Sequence, residues 1–250
     1  MLNPDLDRAL LKEEYQKENR LVIRNILKPE IAQQIEAYCR KHIPFNIHYV
    51  SDGQNKTASQ DDMAKMSDED KQALNTKVLK AAAEGSGFLY CGYRRNQSIQ
   101  NPSKELSFLH SVFDFFNSDE LLKFIREVTG ESGINQADAH YTRFTPGQFL
   151  TRHRDVVESA DRKVAYVLGL SNVWHPDWGG LLQFYQEDGT PDTTWAPKFN
   201  SLSIFDTKYI HAVTCVAPFA AAARFSMTGW FRGSPSSENQ SWKVKMDIQQ

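Results

Sequence analysis

The chain has 250 residues, 40% hydrophobic and 12% aromatic, enough for a sizeable core in one large domain or a domain with an added lobe. Lys and Arg number 29 against 31 Asp and Glu, a net charge of −2, which excludes an overall basic field for nucleic acid or anionic membrane. No apolar run approaches the ~18 residues of a membrane span, and "MLNPDLDRALL" lacks a basic–apolar–small leader, so the expected location is cytoplasmic.

From the N-terminus to about residue 130, apolar residues recur at helical spacing. "RLVIRNIL" reads as a short strand. In "KPEIAQQIEAYCRKH", Pro29 opens a helix that brings Ile31, Ile35 and Tyr38 to one stripe. The polar stretch 51–72 is expected to be in part a mobile loop, either simply solvated or serving as a substrate lid. "SDEDKQALNTKVLKAAAEG" opens with Ser67 and Asp70 in N-cap style and closes on Gly85. "NPSKELSFLHSVFDFFNSDELLKFIREVTG" divides into two helices near Asn117–Ser118. Cys39, Cys91 and Cys215 are scattered without CxxC spacing and read as reduced structural thiols.

After about residue 137 the period becomes two. "ADAHYTRF", "QFLTRH", "KVAYVLGLS", "GLLQFY", "SLSIFD", "HAVTCV" and "RFSMTGWF" are short strands separated by turn residues. The expected fold class is α+β: a double-stranded β-helix, or jelly roll, with N-terminal helices buttressing one face; an isolated eight-stranded barrel is the alternative. The expected organisation is one domain, with a mainly helical support region over 1–136, a catalytic core over 137–232 and a tail over 233–250.

Two His-x-Asp pairs compete as metal ligands. In "FLTRHRD", residues i and i+2 of a strand point the same way, so His153 and Asp155 can converge on one atom. In "WHPDWGG", Pro176 and two glycines mark a connection, and Trp174 and Trp178 serve as packing or as the rim of an entrance. For a third ligand, His42, His48 and His110 belong to the helical half, and His140 reads as a satisfied core histidine. His211 stands at the end of a late strand. Two imidazoles and one carboxylate on one face of an ion leave three open positions, the arrangement of non-haem iron(II) oxygenases. In "RFSMTGWF", Arg224 and Ser226 share the inner face, and a buried guanidinium needs an anion, either a structural partner or a ligand carboxylate.

His-x-Asp, a distal His and Arg-x-Ser together resemble the 2-oxoglutarate- and iron(II)-dependent oxygenases, and most closely their prolyl 4-hydroxylase-type branch. The segments that carry the likeness are "RFTPGQFLTRHRD", "RKVAYVLGLSNVW", "WGGLLQFY", "NSLSIFDTKYIHAVTCV" and "ARFSMTGWF", over roughly 138–232. The resemblance implies iron(II) held by His153, Asp155 and His211. It implies 2-oxoglutarate as co-substrate, its 5-carboxylate gripped by Arg224 with help from Ser226, and ascorbate as an optional addition. Tyr141 is the first candidate for a tyrosine bonded to the same carboxylate and Tyr166 the second, because Phe144 occupies a register where the branch commonly has tyrosine.

The implied reaction is hydroxylation of an unactivated C–H with release of succinate and carbon dioxide. An aspartate at 155, rather than the small residue of a related halogenating group, argues for hydroxyl transfer. The implied partners are dioxygen and a free amino acid, a peptidyl residue of prolyl type or a small natural product, with neither nucleic acid nor membrane. A nucleic-acid-demethylating oxygenase would carry a second arginine closer to Arg224 than Arg232 is. A cupin-like metal protein without oxygenase activity would share the fold.

Overall fold

Short polar residues set most of the helix starts in the computed structural model, which describes residues 1–95 and 101–233. Asp7 caps α1 (Arg8–Glu18), its carboxylate accepting from the Ala9 and Leu10 amides. Pro29 opens α2 (Pro29–His42). Ser59 and Asp62 form a capping box on the short α3 (Gln60–Lys65), and Ser67 caps α4 (Asp68–Ala83). Ser103 and Ser118 cap α5 (Lys104–Phe116) and α6 (Asp119–Thr129), which meet at Asn117 as the sequence indicates. Gly130 ends α6 at φ 80°, the left-handed conformation that glycine adopts without strain.

The N-terminal half also supplies strands: β1 (Arg20–Arg24), β2 (Asn46–Ser51), β3 (Gln54–Ala58) and β4 (Phe88–Tyr93). The expectation of a partly mobile loop over 51–72 is corrected here. Asp52 and Gly53, at φ 54° and 69°, turn β2 into β3, and α3 and the start of α4 follow. The second half contributes β5 (Gln136–Ala137), β6 (His140–Phe144), β7 (Phe149–His153), β8 (Arg162–Gly169) and β9 (Leu182–Tyr185). Then come β10 (Pro191–Trp195), β11 (Ser201–Asp206), β12 (Ile210–Val213) and β13 (Arg224–Arg232). Of these, β10 is an additional strand between those that the sequence marks at "GLLQFY" and "SLSIFD". Of the tail expected over 233–250, residues 234–250 lie outside the described residues.

The main strand path runs β1-β11-β8-β13-β6-β4-β7-β12-β9-β10 with antiparallel neighbours. One cavity is lined both by β6, β8 and β13 and by β7, β9 and β12, so the sheet curls over on itself. This is the double-stranded β-helix, and β4 enters it between β6 and β7.

The outer face of β6, β8, β11 and β13 carries the helices. Phe225, Met227 and Phe231 of β13 join Tyr141, Tyr166 and Leu168 in a core with α2, α5 and α6. Phe116 stacks on both Tyr166 and Phe231. Asn117 fastens this layer, since its side chain accepts from the Ala137 amide at 2.8 Å and donates to the Ala137 carbonyl at 3.0 Å. Gly229 has no space for a side chain, because a Cβ there would stand 1.8 Å from the Asp138 carbonyl oxygen. No helix among the described residues is long and apolar enough to cross a membrane.

Candidate metal centre

Because both faces of β13 are buried, alternation sorts its side chains into two environments. Phe225, Met227 and Phe231 face the helices. Arg224, Thr228 and Trp230 line the cavity, and Ser226 lies beside Arg224 with the same parity. Strand pairing carries the sorting to neighbouring strands: Arg224 pairs with Phe144, Ser226 with Thr142 and Met227 with Tyr141.

At one wall of this cavity, β12 pairs with β7 so that His211 lies opposite His153. Asp155 follows just beyond β7, its amide donating to the Thr207 carbonyl at 3.1 Å and its own carbonyl accepting from Arg162 at 3.3 Å. Nε2 of His153 stands 3.7 Å from Asp155 Oδ1, and Nε2 of His211 stands 3.4 Å from Oδ2. All three residues are buried, with one donor atom from each within 4.8 Å of the others.

The remaining ring nitrogens settle which atoms face inward. Nδ1 of His153 lies 2.9 Å from the Thr151 carbonyl, and Nδ1 of His211 lies 3.0 Å from the Tyr209 carbonyl. A carbonyl only accepts, so each Nδ1 carries the proton and each Nε2 turns a lone pair toward Asp155. Burial, and then the neighbouring His153 ring, push His211 down to about 4, which keeps it neutral. Two imidazole lone pairs and a carboxylate suit a divalent iron-type ion and leave the cavity side open.

Arg224 lies in the same cavity, 3% exposed, and burial pushes it down to about 10. Among the described residues it has no carboxylate partner. It donates to Ser226 Oγ at 3.3 Å and lies over the Phe144 ring at 5.3 Å. Thr142 and Ser226 share a hydroxyl contact at 2.7 Å. A desolvated guanidinium with only a hydroxyl and a ring for company fits an anionic ligand.

Of the residues indicated by sequence, His153, Asp155, His211, Arg224 and Ser226 therefore come together. Tyr141 does not. It lies on the helix side of β6, fully buried, where its hydroxyl donates to the Leu109 carbonyl at 3.0 Å. Tyr166 touches the cavity wall, but its ring lies on Phe116 and Phe231 and its hydroxyl donates to the Asp138 carbonyl at 2.7 Å. His140 is not a simple core histidine, since it lines the cavity, with Nε2 3.2 Å from Thr228 Oγ1. Thr142, Tyr90 and Trp230 were missed. Thr142 and Trp230 were recoverable from strand parity, whereas Tyr90 comes from β4, which the sequence conceals. The decoy pair, His175 and Asp177, is 62% and 79% exposed at a 3₁₀ turn over Pro176–Trp178. Cys39 and Cys91 are buried free thiols and Cys215 an exposed one.

Comparison with known proteins agrees with this geometry. Residues 139–232 match the 2OG-Fe(II) oxygenase superfamily. No curated protein sequence matches the chain. Among solved structures, a Pseudomonas putida prolyl-4-hydroxylase is 19% identical, with a TM-score of 0.59, over 92% of this chain and 100% of its own. A Burkholderia pseudomallei oxidoreductase of the 2OG-Fe(II) oxygenase family is 12% identical, with a TM-score of 0.60, over 96% and 97% of the two chains. A Trichoplax adhaerens prolyl hydroxylase, solved with a hypoxia inducible factor oxygen degradation domain peptide fragment, is 16% identical, with a TM-score of 0.55, over 90% and 89%. At these identities the structures establish a shared fold, while the family match covers the strands that build the centre. Residues 139–232 thus match the 2OG-Fe(II) oxygenase superfamily, and the chain has a prolyl-4-hydroxylase-like fold.

Proposed function

We propose that His153, Asp155 and His211 hold iron(II), that Arg224 with Ser226 holds the far carboxylate of 2-oxoglutarate, and that the enzyme hydroxylates an unactivated C–H. The observation that carries this is one cavity of about 120 Å³ lined by a two-His, one-carboxylate cluster and by a buried guanidinium without a carboxylate partner. When bound, iron with 2-oxoglutarate and dioxygen supplies the oxidation, releasing succinate and carbon dioxide.

The chain's own contribution is placement. The Thr151 and Tyr209 carbonyls fix both imidazole tautomers. The Arg224 fork sets the orientation of the diacid, and Phe144 and Leu150 keep that end of the cavity apolar, which limits wasteful oxidation. A free amino acid, a prolyl-type peptidyl residue and a small natural product are the substrate classes of this reading. The peptide in the Trichoplax structure supports the peptidyl class by likeness of fold. Ascorbate as an accessory reductant, a single catalytic unit built on 137–232 with 1–136 as its support, and a cytoplasmic location belong to the same reading.

The test is succinate formation from 2-oxoglutarate on addition of iron(II), with mass spectrometry for one added oxygen on candidate substrates. Succinate that forms equally without iron, or with Asp155→Ala, overturns the reading.

A further inference from the structure

His211 is held by more than its own strand. Its ring packs on Phe205 and Phe184, at 4.7 Å and 6.2 Å between centroids, and its Nδ1 lies 3.0 Å from the Tyr209 carbonyl. All three neighbours lead to Arg20, at the start of β1. The buried Arg20 guanidinium lies 4.9 Å over the Tyr209 ring and 5.2 Å over the Phe184 ring. Arg20 also pairs with Phe205 where β1 meets β11.

Three consecutive residues fasten the turn that precedes His211. The Glu18 carbonyl accepts from the Tyr209 hydroxyl, and the Asn19 carbonyl accepts from the Asp206 amide at 2.9 Å. Asn19, at φ 51°, caps α1 in the left-handed conformation and turns the chain from helix to strand at this point. The Arg20 fork is itself fixed, with Nε donating to Glu18 at 2.8 Å and Nη1 to Asp192 of β10 at 2.6 Å. A planar guanidinium can bridge two carboxylates while lying on rings, a geometry that a lysine ammonium does not reproduce. Residues 18–20 lie outside the segment 139–232 that matches the family.

We propose that Arg20 is a positioning residue for His211. Clamped between Glu18 and Asp192 and laid on Tyr209 and Phe184, it holds the Tyr209 carbonyl against Nδ1 and so keeps the Nε2 lone pair turned toward Asp155. The N-terminal region thereby sets one metal ligand from outside the cavity wall. The inference rests on the metal-centre reading for the ion, and on these contacts alone for the tautomer.

The experiment uses the full chain with Arg20→Met, Arg20→Lys and, as control, Arg8→Met. Arg8 makes the same kinds of contact in the helical layer, an ion pair with Glu127 at 2.6 Å and a place over the Phe124 ring at 5.5 Å. Near neutral pH, NMR of isotope-labelled histidine rings in the metal-free protein reads the His211 tautomer, with His211→Gln assigning its signal. Anaerobic iron(II) titration and melting temperatures are taken beside it. The wild type is expected to show one tautomer, with the proton on Nδ1. Arg20→Met should mix the tautomers and weaken iron(II) binding about tenfold or more, the scale of an outer partner of a metal ligand. Arg20→Lys, which keeps the charge without the fork, should restore part of both, and Arg8→Met should move neither.

If Arg20→Met does not fold, Arg20→Lys against the wild type decides. An unchanged tautomer and unchanged iron affinity in the folded Arg20 variants overturn the proposal. An equal loss of iron affinity in Arg8→Met also overturns it, since general stability then accounts for the effect. A wild-type chain that shows the single tautomer but binds no iron overturns the oxygenase reading and keeps the positioning role.

Discussion

Two His-x-Asp pairs stand 22 residues apart in this chain, alike in spacing and opposite in fate. His153 and Asp155 close a buried strand end and face His211. His175 and Asp177 flank Pro176 on an exposed 3₁₀ turn with no third ligand near them among the described residues. The difference teaches that spacing alone assigns nothing. A strand points i and i+2 the same way, burial removes competing water, and a neighbouring strand delivers the third donor. The sharpest test sets the pairs against each other. Asp155→Ala is expected to weaken iron(II) binding by at least about 100-fold, beyond what outer partners of a metal ligand contribute. Asp177→Ala should leave it unchanged. Metal titration under anaerobic conditions reads both, and equal effects would dissolve the contrast.

Arg224 carries the same logic from ligands to co-substrate, with a prediction that has two signs. Truncating one partner of a buried charge pair costs about 2–5 kcal/mol, so Arg224→Met should raise the Kd for 2-oxoglutarate by about 30-fold or more. In the protein without co-substrate, the same change removes a desolvated cation that has no carboxylate partner among the described residues. The melting temperature should therefore rise. A guanidinium kept for stability would instead lower the melting temperature and leave 2-oxoglutarate binding intact.

Histidine burial gives a pH test of intermediate size. His48, His110, His140 and His211 are all held below their ordinary value of 6.5, with burial the leading cause for each. Below that value the unfolded chain takes up protons that the folded chain refuses, so stability falls as pH drops from about 7. For His211 the loss continues to about pH 4, where the folded state also protonates. Urea midpoints of the metal-free protein at pH 7.5 and 5.0 should show the fall, and His140→Gln should make it shallower. A flat profile would mean that these rings are not buried neutral.

Legibility in the sequence followed how locally each feature is encoded. Ser67, Ser103 and Ser118 mark helix starts through a hydrogen bond within three residues, so α4, α5 and α6 could be read directly. The alternating strands from β6 onward were equally plain. Strand β4, "FLYCGY", runs apolar without alternation because it is inserted between β6 and β7. The β2–β3 hairpin is polar and half exposed, so Asp52-Gly53 was its one strong local signal. The recess that Phe88, Tyr90 and His140 share with the cavity was hidden with these strands, because it depends on a long-range insertion.

Tyr141 shows the cost of one step of parity. Its neighbours Thr142 and Phe144 pair with Ser226 and Arg224, while Tyr141 pairs with Met227 and goes to the helices. Which residues of a strand face inward is fixed by pairing, and a shift of one reverses every side chain. The inner face at this register instead holds Phe144, whose ring lies under Arg224 and stacks on Tyr90 at 5.3 Å. Tyr141→Phe loses one buried hydrogen bond to the Leu109 carbonyl, which the helix still engages. It should cost about 1 kcal/mol of stability and leave 2-oxoglutarate affinity as it was. A rise in the Kd for 2-oxoglutarate with unchanged melting temperature would put the phenol back on the cavity side and break the register from which Arg224 and Ser226 take their place.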